Sequence, residues 1–284
     1  HPDTSADLIN ILDVQRMTPL ECAAAQGNTD VAKVLLNCVN ILIQHDKQHQ
    51  IGALHVAAKA GHAKIVSILL EDDRVDVNIL STHNHQPVRS PLKVAALFGH
   101  ESVVSIMLSN SRVDVNQQEG DTKTAFHSAA CNGQTAIVQI FLACERVDVN
   151  KPCLLNVISP LNDAVDYGHL DVVRLLVNDI RVDINRVDQS KWSPLHTAAR
   201  HGSETTNMMG ITVSAYRESK EEERYAIVCL LLADKRIIVD SLTAAGYTPL
   251  MCSMSFDYVP VSVIMRFLHY GIGLDRCSDW YNGS

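Results

Sequence analysis

Short apolar blocks recur along this chain in pairs. The first of each pair opens on Ser or Thr, often followed by Pro, runs through small apolar residues and closes on Gly. Residues 192–202 show it most fully, as W-S-P-L-H-T-A-A-R-H-G. There Ser193 can cap a helix through its hydroxyl, and Pro194 takes the first helical position, where its missing N–H costs nothing. Leu195, Ala198 and Ala199 supply a small apolar face, and Gly202 ends the helix in a left-handed conformation. A helix this short has no stability of its own, so the two alanines imply close packing on a neighbour. The second member of each pair places apolar residues at i, i+3 and i+4, as in V-A-K-V-L-L at 31–36, I-V-S-I-L-L at 65–70, V-V-S-I-M-L at 103–108, I-V-Q-I-F-L at 137–142 and V-V-R-L-L-V at 172–177. That spacing predicts a second helix with a wide buried stripe.

A third element follows. R-V-D-V-N stands at 74–78, 112–116 and 146–150, R-V-D-I-N at 181–185 and the weaker R-I-I-V-D at 236–240. Alternation of Val75 and Val77 about Asp76 predicts extended chain entering a projecting, hairpin-like turn. The whole unit starts near 18, 52, 90, 124, 159, 193 and 248. A period near 34 residues is the signature of a repeat architecture and overrides any prior drawn from chain length.

The pattern resembles the ankyrin repeat. The residues that carry the resemblance are Ser193-Pro194-Leu195-His196 with Ala198-Ala199, the helix-ending glycines, the apolar second helices and the turn asparagines. At the far end, 268–275 reads L-H-Y-G-I-G-L-D, with Asp275 in the place of the turn asparagine. The resemblance covers about 15–278. It implies an all-α solenoid of stacked helix–turn–helix units with projecting β-hairpin-like turns, forming a single domain over 1–284.

Three stretches depart from the register. Residues 1–17 carry Leu8, Ile9, Ile11, Leu12 and Val14 and read as a helix, either a cap or the remnant of a preceding repeat. The sixth repeat holds an insertion at 203–223, between its two helices. Ser219-Lys220-Glu221-Glu222 fits a capping box, so the second helix is expected to begin early, near Lys220, and 203–218 reads as a flexible loop. The insertion is either a tolerated surface loop or a partner contact. The seventh repeat has Asp257 where the glycine should stand, with Pro260 behind it. Trp280 and Tyr281 suit a continuing stack better than a polar cap, so the chain reads as a fragment of a longer protein.

Composition narrows the role. Lys and Arg number 24 against 32 Asp and Glu, a net charge of −8. This gives no electrostatic footprint for a nucleic-acid backbone. No apolar run is long enough for membrane insertion, and the first twenty residues lack a signal-peptide pattern. The eight cysteines form no C-x-x-C pair and read as small hydrophobes in a reducing compartment. An intracellular, most simply cytoplasmic, location follows, with the isolated domain monomeric.

No catalytic constellation is present: there is no H-E-x-x-H, no G-x-S-x-G, no phosphate loop and no dinucleotide fingerprint. The expectation is a non-enzyme without cofactors. His45, His49, His83 and His85 lie in adjacent projecting turns and could together hold a zinc-like ion, but solvated histidines are the simpler reading. The resemblance gives His55, His127 and His196 a structural hydrogen-bonding role. It also gives Asn78, Asn116, Asn150 and Asn185 two readings, as ties for the projecting turns and as hydroxylation targets.

Two features point to a partner. In an ankyrin-like stack the two positions before each helix-ending glycine face the binding side. Here they hold Leu97, Phe98, Asp166, Tyr167, Arg200 and His201, a mixture suited to recognition. The fourth turn, K-P-C-L-L-N-V-I-S at 151–159, is apolar where its neighbours are polar. Leu154, Leu155, Val157 and Ile158 should form a patch beside Trp192. The leading expectation is a scaffold that binds a protein or peptide on its concave face and turn tips. The alternative is a recruiting or regulatory segment of a larger enzyme or channel.

Overall fold

The computed structural model describes residues 9–38, 40–43, 52–81, 88–120, 122–200, 218–254 and 264–267, with the backbone alone at 218–221. Among these residues every regular element is helical and no strand forms. In chain order the helices are α1 (Pro19–Gln26), α2 (Thr29–Leu36), α3 (Ala53–Ala60), α4 (Ala63–Glu71), α5 (Pro91–Leu97), α6 (Glu101–Ser109), α7 (Ala125–Cys131), α8 (Thr135–Leu142), α9 (Pro160–Asp166), α10 (Leu170–Asn178), α11 (Pro194–Ala199), α12 (Glu218–Ala233) and α13 (Pro249–Met254). Residues 264–267 add a helical turn where the seventh second helix is expected.

The chain divides into two compact units, 1–129 with 136–148, and 130–135 with 149–284. In the first, α1, α3 and α5 pack in succession, and α2, α4 and α6 form a parallel row behind them. In the second, α9, α11 and α13 form the front row, with α10 packed on α12. The reason is local. Front helices present Ala23, Ala24, Ala57, Ala58, Ala95, Ala96 and Ala164, all buried, so adjacent helices approach closely. Back helices bury a broader stripe, such as Val103, Val104, Met107 and Leu108 on α6.

Caps form where the sequence places them. The hydroxyls of Thr18, Ser90, Ser159 and Ser193 accept the backbone N–H three residues on, and Pro fills the next position in each. Gly27, Gly61, Gly99, Gly133 and Gly168 are all left-handed, with φ between 67° and 76°. That conformation strains any residue with a Cβ. Space is equally tight: a Cβ on Gly61 would lie 2.7 Å from His100 Nδ1, and one on Gly133 would lie 2.6 Å from His169 Nδ1.

Neighbouring repeats are stitched by side chains acting on backbone. In several front motifs the fourth residue donates to the carbonyl just before the next cap. His55 Nε2 reaches Arg89 O at 2.9 Å, Lys93 Nζ reaches Lys123 O at 3.1 Å, and His196 Nε2 reaches Tyr247 O at 3.1 Å. The turn asparagines make a second ladder. Asn78 Nδ2 donates to Arg112 O (2.9 Å) while its Oδ1 accepts Asp114 N–H (2.7 Å). Asn116, Asn150 and Asn185 repeat this with Arg146 and Asp148, Arg181 and Asp183, and Arg236 and Ile238. The ties therefore run between repeats, and both ends of each amide are engaged.

One expectation fails. Residues 9–17 form turns where the apolar spacing predicts a helix. The Asp13 carboxylate accepts the N–H groups of Gln15 (2.8 Å) and Met17 (2.9 Å), and Arg16 turns left-handed at φ 62°. A short acidic side chain that captures backbone donors in this way competes with the helix. The same bonds hold the Asp13 carboxyl below its usual range. The insertion's helix begins at Glu218, close to the expected start, while 201–217 lies outside the described residues. So do Asp257, Pro260, Asp275, Trp280 and Tyr281.

Candidate partner-binding surface

In the second unit, two consecutive turns flank the start of a front helix. Cys153 N–H donates to Ile158 O (2.9 Å), closing the first as a hairpin-like loop, and Asp188 N–H donates to Trp192 O (3.0 Å) in the second. Gln189 N–H donates to Asn156 O (3.0 Å), so one tip is bonded to the next. Asp188 Oδ1 also accepts Ser190 N–H and Trp192 N–H, each at 2.8 Å, which fixes the loop that carries the indole. With its polar backbone so occupied, the first tip turns its apolar side chains outward: Leu154 is 67% exposed, Leu155 69% and Val157 38%.

Val157 has φ 58°. A β-branched residue in the left-handed region is strained. The position recurs: Arg16, Thr122, Lys191 and Gly246 are also left-handed two residues before a cap. The turn dictates the conformation, and in the fourth repeat it holds a valine at the surface.

Behind the tip lies a groove of about 330 Å³, lined by Ile158, Asn162, Asp163, Asp166, Asp188, Ser190, Trp192, Thr197 and Arg200. The Arg200 guanidinium sits 5.2 Å from the Trp192 ring centroid and donates to Asp166 Oδ1 at 3.2 Å. Beneath it, Arg224 donates to Arg200 O (3.2 Å) and Asp166 O (3.1 Å). Burial lowers the Arg224 pKa, partly offset by Asp166. Trp192 tilts onto His196 at 6.0 Å. Tyr167, next along from Asp166, is exposed and stacked on His169 at 6.3 Å.

The structure thus brings together Asp166, Trp192 and Arg200, with Ile158 linking them to the exposed tip. In the first unit Leu97 is half-buried and Phe98 exposed, with Lys59 Nζ 5.7 Å above the Phe98 ring. His201 lies outside the described residues, as do His45, His49, His83 and His85. Among the described residues no group of three or more His, Cys, Asp or Glu side chains is arranged to hold a metal, and no helix is long and apolar enough to cross a membrane.

Sequence reasoning overlooked two sets of residues. His62, His100 and His169 follow the helix-ending glycines, and each donates from Nε2 to a front-helix carbonyl of the preceding repeat: Ala25 O at 3.0 Å, Lys59 O at 2.8 Å and Cys131 O at 2.9 Å. The recurring Gly-His pair was the available signal. Arg74, Arg112, Arg146 and Arg236 reach back to carbonyls at the ends of earlier second helices and turns, for example Leu36 O at 2.6 Å and Leu70 O at 3.2 Å. These carbonyls lack helical partners and favour a cation.

Sequence profiles described as ankyrin repeats in three copies match residues 3–81, 36–119 and 77–153, and a profile of many copies matches 161–208. A search of curated proteins returns no match. Among solved structures, the ankyrin repeat domain of Bcl-3, a unique member of the IkappaB protein family, is 20% identical with a TM-score of 0.69, covering 90% of this chain and 99% of that one. The human ASB11 ankyrin repeat domain is 22% identical at a TM-score of 0.62, covering 88% and 98%. EF0377, an ankyrin repeat protein, is 20% identical at 0.59, covering 78% and 98%. At these identities the likeness is one of fold.

Proposed function

This chain belongs to the ankyrin-repeat family, and from that premise we propose that it is a scaffold whose partner, a protein or an extended peptide, docks on the face made by its front helices and turn tips. A non-catalytic role in protein–protein interaction is what the family carries. The observation behind the finer reading is the exposed Leu154 and Leu155 on a tip bonded at Asn156 to the turn that bears Trp192. Apolar area on a turn tip is worth roughly 25 cal/mol per Å² when a partner removes it from water. Trp192 and Arg200 are residue types that dominate binding energy where they sit in a pocket. Seven cysteines outside any disulfide among the described residues fit a reducing, cytoplasmic setting, and the net charge of −8 disfavours a nucleic-acid partner. The isolated domain is expected to be monomeric.

The test is capture from native extract by the full chain and by the single variants L154A, Y167A and W192A, each checked for an unchanged helical spectrum. At least one variant should weaken capture of the same partner about tenfold, roughly 1.4 kcal/mol. Equal capture by all three folded variants would exclude this surface.

A further inference from the structure

We propose that the stack continues upstream of α1. Residues 9–17 are the projecting turn of a further repeat, and the helix pair of that repeat packs on the face of α2 that carries Val31, Val34 and Leu35. The proposal is independent of the docking surface above.

The turn identifies the repeat. Residues 9–17 read I-N-I-L-D-V-Q-R-M, and residues 184–192, which follow the helix pair of the fifth repeat, read I-N-R-V-D-Q-S-K-W. The backbone matches as the sequence does. Asp13 N–H donates to Met17 O at 3.0 Å, as Asp188 N–H donates to Trp192 O at 3.0 Å. In both turns the Asp Oδ1 accepts the N–H groups two and four residues on. Arg16 and Lys191 are left-handed at φ 62° and 60°. Asn10 extends the asparagine ladder by one rung: its Nδ2 donates to Asn40 O (2.8 Å) and its Oδ1 accepts Leu42 N–H (2.8 Å). Asn185 does the same with Arg236 and Ile238. Asn78, Asn116, Asn150 and Asn185 each follow a pair of helices. The eight residues before Ile9 are too few to form such a pair, since α9 and α10 together occupy 160–178.

Burial points the same way. Counted from the helix-ending glycine, the fourth and eighth residues on are Ile65 and Leu69 in α4 and Val103 and Met107 in α6, all buried. In the row of second helices α4 has α2 before it, and α6 has α4. Among the described residues no helix stands before α2. There the fourth residue, Val31, is 49% exposed, and the eighth, Leu35, is half-buried. Val34, on the same face, is 66% exposed. These three keep the i, i+3, i+4 spacing of a covered stripe. A repeat that ends a solenoid carries a polar outer face, whereas this face has the composition of an inner unit. Its occupant is therefore the apolar second helix of a preceding repeat, delivered by the turn at 9–17.

The experiment replaces residues 1–8 of the full chain by a copy of 159–183, so that a helix pair runs into Ile9 as it runs into Ile184. The urea midpoint should rise by about 0.5 M or more, and hydrogen exchange of the α2 amides should slow about tenfold. V31Q/V34Q should remove that gain from the extended chain. In the original chain the same change should leave the midpoint nearly unmoved, because both side chains already meet water. An extended chain that gains neither stability nor α2 protection would overturn the proposal, and so would V31Q/V34Q acting equally on both chains. Deleting 1–8 alone should leave α2 exchange as it is; faster exchange would assign the face to that segment instead. Dimerisation of the original chain in light scattering, abolished by V31Q/V34Q, would assign it to a second copy, and the proposal would fail. Read upstream of the His1 codon, the transcript should encode one more capped short helix, its glycine and an apolar second helix. Any other sequence there would also overturn the proposal.

Discussion

Lys93 Nζ and Glu119 Oε2 lie 3.6 Å apart with side chains 1% and 0% exposed. Lys93 stands where the sister repeats have His55, His127 and His196. In two of those, the cap hydroxyl donates to the imidazole Nδ1, at 2.9 Å from Thr124 and 2.8 Å from Ser193. In the third repeat Ser90 Oγ instead donates to Glu119 Oε1, and Lys93 takes over the carbonyl that a histidine would reach. A lysine brings a charge into the site, and Glu119 balances it.

The pair is therefore expected to act as a unit. K93M should destabilise the chain by about 3–5 kcal/mol, because Glu119 would be left buried without its cation. K93M/E119M should cost much less, since both charges leave together. Urea denaturation of the two variants measures the difference. A double variant as unstable as K93M would show that packing, and not charge, governs the site.

The glycines offer a second comparison. Gly61 and Gly246 have similar left-handed φ values of 76° and 83°, yet their surroundings differ. Alanine at either position meets a backbone penalty of roughly 1–2 kcal/mol. At Gly246 no atom of the described residues beyond its chain neighbours lies within 4 Å of the new Cβ, so the backbone penalty is the cost expected there. At Gly61 the Cβ displaces the His100 ring and strains its 2.8 Å bond to Lys59 O. G61A is therefore expected to exceed G246A by about 1 kcal/mol or more, and G61A/H100A should recover part of that excess. Equal midpoint shifts for G61A and G246A would contradict the steric account.

Most of this fold is legible in the sequence because its signals are local. A Ser or Thr cap, a following Pro, paired alanines and a glycine specify a helix and its end within ten residues, and they do so at 18–27 and 90–99 alike. What stays hidden is which atom meets which across the stack. Lys93 finds Glu119 through a turn, and Asn78 finds Arg112 O at a separation of 34 residues. Periodicity names such positions without naming their partners. The helix expected over 1–17 fails across 9–17, the part that is described, for the same reason: apolar spacing outvoted Asp13, whose claim on two backbone donors is invisible to a count of hydrophobic residues. The candidate surface was legible at 154–158 because an apolar turn tip breaks a pattern. The groove behind it was not, because it depends on how Arg200 settles over Trp192.

The last prediction concerns pH. His55 is buried, and its Nδ1 has no hydrogen-bond partner among the described residues, since the cap of its helix is Gly52 and offers no hydroxyl. Burial pushes its pKa down from 6.5 to about 4, against a smaller opposite pull from the Arg89 carbonyl and Asp76. Between those values the unfolded chain binds a proton that the folded chain refuses, so stability must rise with pH across that window. The contribution is complete above 6.5 and shrinks as pH falls toward 4, by up to roughly 3 kcal/mol over the full shift. His196 shifts in the same direction, also through burial, and adds to the slope. Asp72, Asp179 and Asp234 act in a lower window. Hydrogen bonds from Arg74, Arg181 and Arg236 lower their pKa values, so their contribution holds above about pH 4 and fades as pH falls through the folded values. H55Q keeps a donor for the Arg89 carbonyl and removes the titration. Urea unfolding at intervals from pH 4.5 to 7.5 should show the wild-type slope reduced by nearly one proton in H55Q, with the His196 contribution retained. An unchanged slope in H55Q would mean that the buried imidazole of His55 does not govern acid sensitivity in this range.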